Sequence, residues 1–248
     1  MRLLDLFCGA GGAAMGYHRA GFDEIVGVDI KPQPRYPFQF VRADALDFCA
    51  SFGAAFDLIH ASPPCQGYSI MRNLPWLRSR SYPMLIPATR IALERTGQAF
   101  IIENVAGARR SVKHPEGLRG FWLCGSQVGL PIFRHRHFET SLFWMRPPHR
   151  PHEGTVRNGR MLGGRARDLI VRKTGQRYGF DKPGSGVGHS ANGGNRAADA
   201  LGVPWMTREE ACQAIPPAYT EYIGKQLIAF LQWKPQAEAF ARKEALGL

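Results

Sequence analysis

The chain has 248 residues, of which 44% are hydrophobic, and a net charge of +12 from 32 basic and 20 acidic side chains. This length accommodates one large domain, or one domain that carries a smaller one. No apolar run approaches the roughly 20 residues of a membrane-spanning helix and no signal peptide is recognisable, so we expect a cytoplasmic protein without membrane contacts.

Short apolar runs alternate with helical patterns through the amino-terminal part of the chain. The runs are bounded by glycine, proline or aspartate, which is typical of buried strands. Strands that alternate with helices predict the α/β class, with a mostly parallel, doubly wound, Rossmann-like sheet. The predicted strands cover residues 2–7, 24–28, 40–41, 56–60 and 99–102, and the predicted helices cover residues 13–20, 46–51, 83–95 and 218–230.

The first predicted strand runs into a glycine-rich turn, within the sequence DLFCGAGG at residues 5–12. Such a turn lets the backbone approach a ligand, although tight strand–helix turns also need glycine for steric reasons alone. Asp29 follows the second strand, where a carboxylate can accept hydrogen bonds from ribose hydroxyls. Asp44 follows the third strand, where it can meet an adenine amino group. Together the three strand-end features favour a cofactor that contains adenosine.

The fourth predicted strand is followed by the sequence SPPCQGYS at residues 62–69. Pro63 and Pro64 have fixed backbone angles and restrict Cys65, which suits a rigidly held nucleophile. A thiol attacks as the thiolate, so such a site requires a base, or nearby arginines that lower the cysteine pKa. On these residues alone, Cys65 is equally consistent with an inert thiol in a tight turn.

An acid and two arginines follow further along the chain. Glu103 ends an apolar strand and is a candidate general acid, although an exposed loop glutamate would have the same pattern. Arg134 and Arg136 lie at alternate positions and share one face if this segment is a strand, with His135 and His137 on the other face. The two histidines lack further ligands at metal-binding spacing, so no metal site is predicted.

Five cysteines are scattered through the chain without CxxC spacing. Their odd number and wide separation argue against a disulfide framework and against a zinc site. Free thiols fit a reducing compartment, in which one of them can be reactive. The cysteines are Cys8, Cys49, Cys65, Cys124 and Cys212.

Positive charge is concentrated in one glycine-rich part of the chain. Residues 105–200 contain 17 basic and 6 acidic side chains, which is a local balance of +11. Hydrophobic periodicity disappears between about residues 145 and 200, where we expect loops and short strands or partial disorder. Arginine suits bidentate contacts to phosphate or guanine, so this segment predicts a polyanionic partner.

Five segments, taken in order, resemble the motifs of the cytosine-5 DNA methyltransferases: DLFCGAGG, SPPCQGYS, FIIENV, RHRHFET and IPPAYTEYIGKQL. The similarity runs through most of residues 1–144 and resumes at about residues 204–231. The resemblance implies a methyltransferase sheet and S-adenosylmethionine as methyl donor. It divides the chain into a catalytic, cofactor-binding domain at residues 1–144, a small target-recognition region at residues 145–203, and a helical region at residues 204–248 that returns to the catalytic domain.

The resemblance also implies roles for single residues. Cys65 would be the nucleophile, and Glu103 would contact the ring nitrogen and amino group of the cytosine. Arg134 and Arg136 would hold the base and the neighbouring backbone. The residues implied to bind S-adenosylmethionine are Phe7, Gly9, Gly11, Asp29 at the ribose, Ile30, Asp44 near the adenine, Ala45, and Ser62 and Pro63 near the reacting end.

The implied substrate is double-stranded DNA, from which the target cytosine is flipped because it cannot be reached inside the duplex. We expect a monomer in a bacterial cell, and the compact chain is compatible with a phage-encoded enzyme. The small recognition region predicts a short or degenerate target.

Three alternatives stay open. A transfer-RNA cytosine-5 methyltransferase would have the same motifs, and a catalytically inactive DNA-binding homologue would have the same charge. A nucleotide-level enzyme of the thymidylate-synthase kind would leave the glycine turn and Asp29 unexplained.

Two positions depart from the family pattern: Ile132 stands where a glutamine usually opens the arginine motif, and Cys212-Gln213 replaces a Gly-Asn pair.

Overall fold

The computed structural model describes residues 1–69, 79–111, 115–130, 132–149, 169–170 and 196–245. Most of the predicted target-recognition region lies outside these ranges, so the proposed domain boundaries stay a prediction. Within the described ranges, no helix has both the length and the apolar character needed to cross a bilayer.

The described strands form a seven-stranded sheet and a separate two-stranded sheet. They are β1 (Arg2–Leu6), β2 (Glu24–Asp29), β3 (Gln39–Arg42), β4 (Leu58–Ala61), β5 (Ala99–Val105), β6 (Phe121–Cys124), β7 (Ile132–Phe133), β8 (His135–Thr140) and β9 (Leu169–Ile170). The large sheet has the order β3-β2-β1-β4-β5-β8-β6, and β7 pairs with β9. The five neighbouring strands β3, β2, β1, β4 and β5 are parallel to one another, whereas β8 is antiparallel to β5 and to β6. The predicted mostly parallel α/β sheet is therefore confirmed.

Helices cover both faces of the large sheet. The helices are α1 (Gly12–Ala20), α2 (Ala45–Phe52), α3 (Ile86–Thr96), α4 (Arg196–Leu201), α5 (Arg208–Gln213) and α6 (Pro217–Ala245). Successive strand side chains point to opposite faces, so Leu3 belongs to the core under α1 and α6, and Leu4 belongs to the core under α2 and α3. The two layers bury β4 and all of β1 except Arg2, which explains why both strands are mostly apolar.

Local sequence signals set the ends of several helices. Gly21 and Gly97 end α1 and α3 in the left-handed conformation that glycine adopts without strain. Thr207 caps α5 in a capping box with Glu210, which satisfies two otherwise unpaired backbone donors. Pro217 occupies the first position of α6, where its missing N–H costs nothing.

Four predicted elements differ from the structure by two or more residues at an end. Strand β5 continues to Val105, three residues beyond its predicted end, so Glu103 lies within the strand. Strand β4 begins at Leu58, because Gly53–Ala55 forms a 3-10 turn that Phe56 closes by donating its N–H to the Gly53 carbonyl. Helix α3 begins at Ile86 instead of residue 83. Helix α6 extends to Ala245, well beyond the predicted end at residue 230.

Candidate active site

The glycine turn after β1 has three residues in the left-handed backbone region. Phe7 has a φ of 57°, Gly9 of 49° and Gly11 of 82°. A side chain at Gly11 would lie 2.6 Å from Pro37 Cδ, so only glycine fits between this turn and the proline loop. The turn lies at the carboxyl end of β1, beside the point where the strand order reverses and where α/β sheets bind ligands.

Asp29 joins the end of β2 to the glycine turn. Its Oδ2 accepts a hydrogen bond of 3.1 Å from the Gly9 N–H, and its Oδ1 accepts one of 2.9 Å from the Lys31 N–H. The carboxylate therefore holds the turn in place at the predicted ribose position. Ile30 follows with a side chain that is 64% exposed, so its surface is available to a ligand.

Asp44 has a local role that the sequence reading did not include. Its Oδ1 accepts hydrogen bonds from the Leu46 and Asp47 N–H groups at 2.8 and 3.1 Å and so caps α2. Ala45, the first residue of α2, is buried. Both residues lie at the carboxyl end of β3, and their contact with an adenine stays a prediction.

The loop that carries Cys65 is held by hydrogen bonds on both sides. The buried Asn104 side chain on β5 donates from Nδ2 to the Pro63 carbonyl at 2.7 Å. The Cys65 carbonyl accepts from the Tyr68 and Ser69 N–H groups at 3.0 and 2.9 Å. These bonds, together with the two prolines, fix the backbone of the cysteine, whose side chain is partly exposed.

Glu103 lies buried on β5 between two arginines. Arg136 pairs with Val105 across the β5–β8 ladder, which brings its Nε within 3.1 Å of Glu103 Oε1. Burial raises the pKa of Glu103 to about 7, although Arg136, Arg134 and a hydrogen bond from Ser62 each act to lower it. Because half of the carboxyl groups carry a proton at such a pKa, Glu103 can donate a proton at neutral pH.

The Cys65 thiol responds to the same groups. Burial and the negative charge of Glu103 raise its pKa, whereas Arg136 and Arg134 act to lower it. The expectation that arginines favour the thiolate is therefore right in sign, but burial and Glu103 outweigh them. Protonation of Glu103 would remove its negative charge, which is one of the two influences that raise the pKa of Cys65.

A buried hydrogen-bonded chain connects Glu103 with the core. The Tyr17 hydroxyl lies 2.9 Å from His60 Nδ1, and His60 Nε2 lies 2.8 Å from Ser62 Oγ. Burial lowers the pKa of His60 to about 3, so the imidazole is neutral. A consistent assignment has Tyr17 donating to Nδ1, Nε2–H donating to Ser62, and Ser62 donating to the Glu103 carboxylate.

Arg134 anchors the carboxyl-terminal part of the chain to the site. Its Nη2 donates to the Cys212 and Ala214 carbonyls at 2.8 and 3.0 Å, and its own carbonyl accepts from the Tyr219 hydroxyl. The side chain is buried and also acts electrostatically on Glu103. Its role toward a base stays a prediction, whereas its role in positioning the segment before α6 is a finding.

The predicted site residues fall into two groups. Ser62, Cys65, Glu103, Arg134 and Arg136 form one electrostatically coupled cluster. The residues that follow β1, β2 and β3 form a second group, which Asp29 links to the glycine turn.

Sequence reasoning missed three residues that are hydrogen-bonded, directly or through one another, to the first group or to its loop: Asn104, His60 and Tyr17. Asn104 directly follows Glu103, and His60 is a single polar residue in an apolar strand. Either position could have been marked as a buried polar group that needs a partner.

The amino-terminal part of the chain is similar to one known protein family. Residues 1–117 match the family model of C-5 cytosine-specific DNA methylases. This range includes the glycine turn, Cys65 and Glu103, and it ends before Arg134 and Arg136.

Curated relatives match the same part of the chain. The Type II methyltransferase M.XorII of Xanthomonas oryzae pv. oryzae is 32% identical over 119 residues, which are 42% of this chain and 28% of that protein. M.AgeI of Thalassovita gelatinovora is 30% identical over 124 residues, with coverage of 43% and 28%. M.HgiDI of Herpetosiphon aurantiacus is 27% identical over 158 residues, with coverage of 56% and 51%. The chain thus spans between about a quarter and a half of the length of these relatives.

Among solved structures, the S. pombe Dnmt2 methyltransferase is 22% identical with a TM-score of 0.37, and the match covers 56% of this chain and 48% of that one. The family match and the curated relatives agree with the resemblance carried by the glycine turn and the cysteine loop. Through residues 1–117, the chain is similar to the C-5 cytosine-specific DNA methylases.

Proposed function

We propose that the protein is an S-adenosylmethionine-dependent DNA (cytosine-5-)-methyltransferase, which methylates carbon 5 of a flipped cytosine in duplex DNA. The observation that carries the proposal is the coupling of Cys65 to the buried Glu103, whose pKa of about 7 makes it an acid at neutral pH. A thiol and a carboxylic acid side by side are the two groups that activation of carbon 5 requires.

In the proposed reaction, the Cys65 thiolate forms a bond from Sγ to carbon 6 of the cytosine. Electron density moves through carbon 4 to ring nitrogen 3, which takes the proton of the Glu103 carboxyl. Carbon 5 becomes an enamine carbon that can accept a methyl group. After carbon 5 has gained the methyl group, the proton on ring nitrogen 3 returns to the Glu103 carboxylate. Loss of the carbon 5 proton to solvent then restores the 5,6 double bond and expels the thiolate.

The proton on Glu103 serves both partners. While it stays on the carboxyl, Glu103 carries no negative charge that would raise the pKa of Cys65. Once the proton moves to the base, the carboxylate is stabilised by Arg136 at 3.1 Å and by the Ser62 hydroxyl. Positive charge that lies in place before the reaction lowers the energy of the charged state without reorganisation.

The residues after β1, β2 and β4 fit S-adenosylmethionine. The left-handed turn at Gly9 and Gly11 leaves space above Gly9, where an added side chain would meet nothing within 4 Å. Asp29 offers its carboxylate at the proposed ribose position, and Ser62 and Pro63 lie between the end of β4 and Cys65. When bound, the cofactor supplies an electrophilic methyl group on sulfur.

Positive charge supports a nucleic-acid substrate. Residues 105–200 have a balance of +11, and neutralising phosphates there would offset the few kcal/mol that base flipping costs. In the proposed arrangement, residues 145–203 recognise the target sequence, and Arg134 and Arg136 border the flipped base.

The proposal is tested with duplex DNA that contains 5-fluorocytosine, in the presence of S-adenosylmethionine. Fluorine cannot leave carbon 5 as a cation, so the covalent Cys65 complex should accumulate and survive denaturation with detergent. Wild type and Cys49→Ala, whose thiol is buried in α2, should form the complex, and Cys65→Ser should form none.

Two further measurements, methyl transfer to RNA or DNA and duplex binding, distinguish the alternatives. Methyl transfer to total transfer RNA but not to duplex DNA would assign the RNA substrate. Tight duplex binding without transfer or adduct would assign the inactive homologue. An adduct of equal yield in Cys65→Ser would overturn the proposed nucleophile.

A further inference from the structure

Three potential metal ligands outside the active site lie together at the edge of the large sheet. They are Cys124 at the end of β6, His135 at the start of β8, and His149, and their ligand atoms all lie within 4.8 Å of one another. We propose that this cluster, called the Cys-His-His cluster below, binds a divalent transition metal of the zinc class. The proposal revises the expectation that the chain has no metal site.

The sheet itself brings two of the ligands together. Cys124 and His135 are direct partners in the antiparallel β6–β8 ladder. Side chains of such partners lie on the same face with Cβ atoms about 5 Å apart, so their positions do not depend on a flexible loop. The HxH spacing was not informative because only His135 of that pair belongs to the cluster, and Cys124 and His149 come from other segments.

The third ligand is held near the other two by the side chain of Gln127. Its Oε1 accepts from the Cys124 N–H at 2.8 Å, and its Nε2 donates to the carbonyl of Pro147, two residues before His149. Trp122 packs edge-on against both imidazoles, with ring centroids 4.8 Å from His135 and 4.6 Å from His149. These contacts restrict the rotamers of both histidines.

The donor set and spacing fit zinc. One thiolate and two imidazoles are ligands that zinc accepts, and a fourth position is left for a further donor. Ligand atoms on a tetrahedral zinc ion are about 3.5 Å apart, so the side chains need to approach by only about 1 Å. Ser126 Oγ donates to Cys124 Sγ at 3.3 Å, and this bond can remain as a contact to the metal-bound thiolate. Near the cluster, the positively charged guanidinium of Arg146 lies over Trp122. A negatively charged thiolate ligand would partly balance this positive charge.

The location suggests what the metal would do. His149 lies near the start of the predicted target-recognition region, residues 145–203, and Arg136 of the active-site cluster donates from Nη1 to the His135 carbonyl at 3.1 Å. A metal on this cluster would therefore fasten the start of the predicted target-recognition region to β6 and to the strand that carries Arg136. This is a structural role, separate from the chemistry at Cys65.

The test is titration of the chelator-treated full chain with Co²⁺, followed by Zn²⁺ competition. We expect one equivalent of Co²⁺ with a thiolate-to-metal charge-transfer band and the intense visible bands of tetrahedral cobalt. Cys124→Ser should lose the charge-transfer band. His149→Ala, a partly exposed position whose substitution should leave the circular dichroism unchanged, should bind at least about tenfold more weakly. A saturating concentration of Zn²⁺ should raise the wild-type Tm by about 5 °C.

Matched controls distinguish this site from other thiols and histidines. Cys65→Ser removes the proposed nucleophile and His18→Ala removes an exposed histidine of α1, and both should bind the metal as wild type does. Absence of binding at micromolar metal, or a charge-transfer band that persists in Cys124→Ser and disappears in Cys65→Ser, would overturn the proposal. Because the readout is metal binding, it does not depend on methyl transfer.

Discussion

At Glu103, burial and positive charge act on the same carboxyl in opposite directions. Burial favours the protonated form, and Arg136 at 3.1 Å favours the carboxylate. Neither effect dominates completely, which leaves the pKa close to neutral pH instead of near 4.5. A group that both gives up and takes back a proton during one catalytic cycle needs this balance.

The raised pKa of Glu103 predicts a pH-dependent stability. The pKa rises from 4.5 in the unfolded chain to about 7 in the fold, so this group contributes fully below pH 4.5, and its contribution is lost as the pH rises to about 7. The loss amounts to about 3 kcal/mol. Relative to wild type, Glu103→Gln should therefore become more stable by about this amount between roughly pH 5 and pH 8 in urea unfolding. The exposed Glu94→Gln serves as control, and a difference that is constant with pH would contradict the balance described above.

Asn104 is a positioning residue for the nucleophile. Its side chain links β5 to the Pro63 carbonyl at 2.7 Å, so Asn104→Ala should leave the cysteine loop without this support and a buried carbonyl without a donor. We expect adduct formation on 5-fluorocytosine DNA to slow at least about tenfold, while the affinity for S-adenosylmethionine changes little. Gln98→Ala removes a similar amide-to-carbonyl bond, to Ala54, at the distant α3–β5 turn and should form the adduct at the wild-type rate. Equal rates in both variants would exclude the positioning role.

Among the elements, the buried parallel strands were the most predictable. Strands β1 and β2 were predicted to within one residue, because most of their residues are apolar and glycine or aspartate lies near their ends. Strand β4 was misplaced by two residues, because the apolar Phe56 belongs to the turn before it. The end of α6 was not predictable, because the hydrophobic pattern weakens after residue 230 while the helix continues.

The site was predictable where one segment carries its own signal. Cys65, which follows two prolines, and the glycine turn stand out in the sequence because their backbone requirements are local. The bonds from Arg134 to the Cys212 and Ala214 carbonyls join residues about 80 positions apart. Such contacts depend on how α5 and α6 pack on the sheet, and no local pattern contains that information.

Helices α1 and α6 pack closely at two glycines, and the distances there predict which glycine-to-alanine substitution destabilises the fold more. A Cβ atom at Gly16 would lie 2.0 Å from Thr220 Oγ1 and 2.1 Å from the Pro217 carbonyl, so the Gly16→Ala variant would have to separate the helices. A Cβ atom at Gly224 would approach only side chains, at 2.9 Å from Ala20 Cβ. We expect Gly16→Ala to lower the free energy of unfolding by about 3 kcal/mol and Gly224→Ala by less than about 1 kcal/mol, because alanine also favours the helix. Thermal or urea unfolding measures both, and the reverse order would show that this interface is looser than described.

For the whole molecule, the excess positive charge and the parallel sheet lie in different parts of the chain. The parallel sheet of β1 to β5 uses a nearly balanced part of the sequence, whereas the excess of +11 lies in residues 105–200. The catalytic cluster lies at the border between these parts, since β5 supplies Glu103 and β8 supplies Arg136. Under the proposed function, phosphate contacts of the basic residues would help to offset the energy of extruding the base.

The basic segment therefore predicts a specific salt dependence of DNA binding. Arg165 and Arg167 lie outside the described residues, and the prediction rests on their charge. If both neutralise phosphates, the variant with serine at these two positions should reduce the slope of log K against log salt concentration by about 2. The matched double variant of Arg19 and Arg95, which are exposed on α1 and α3, should keep the wild-type slope. The measurement is duplex binding by fluorescence anisotropy over a series of salt concentrations. Equal salt slopes for the two double variants would show that Arg165 and Arg167 do not neutralise phosphates. The slope reports the number of neutralised phosphates whatever the sequence of the duplex.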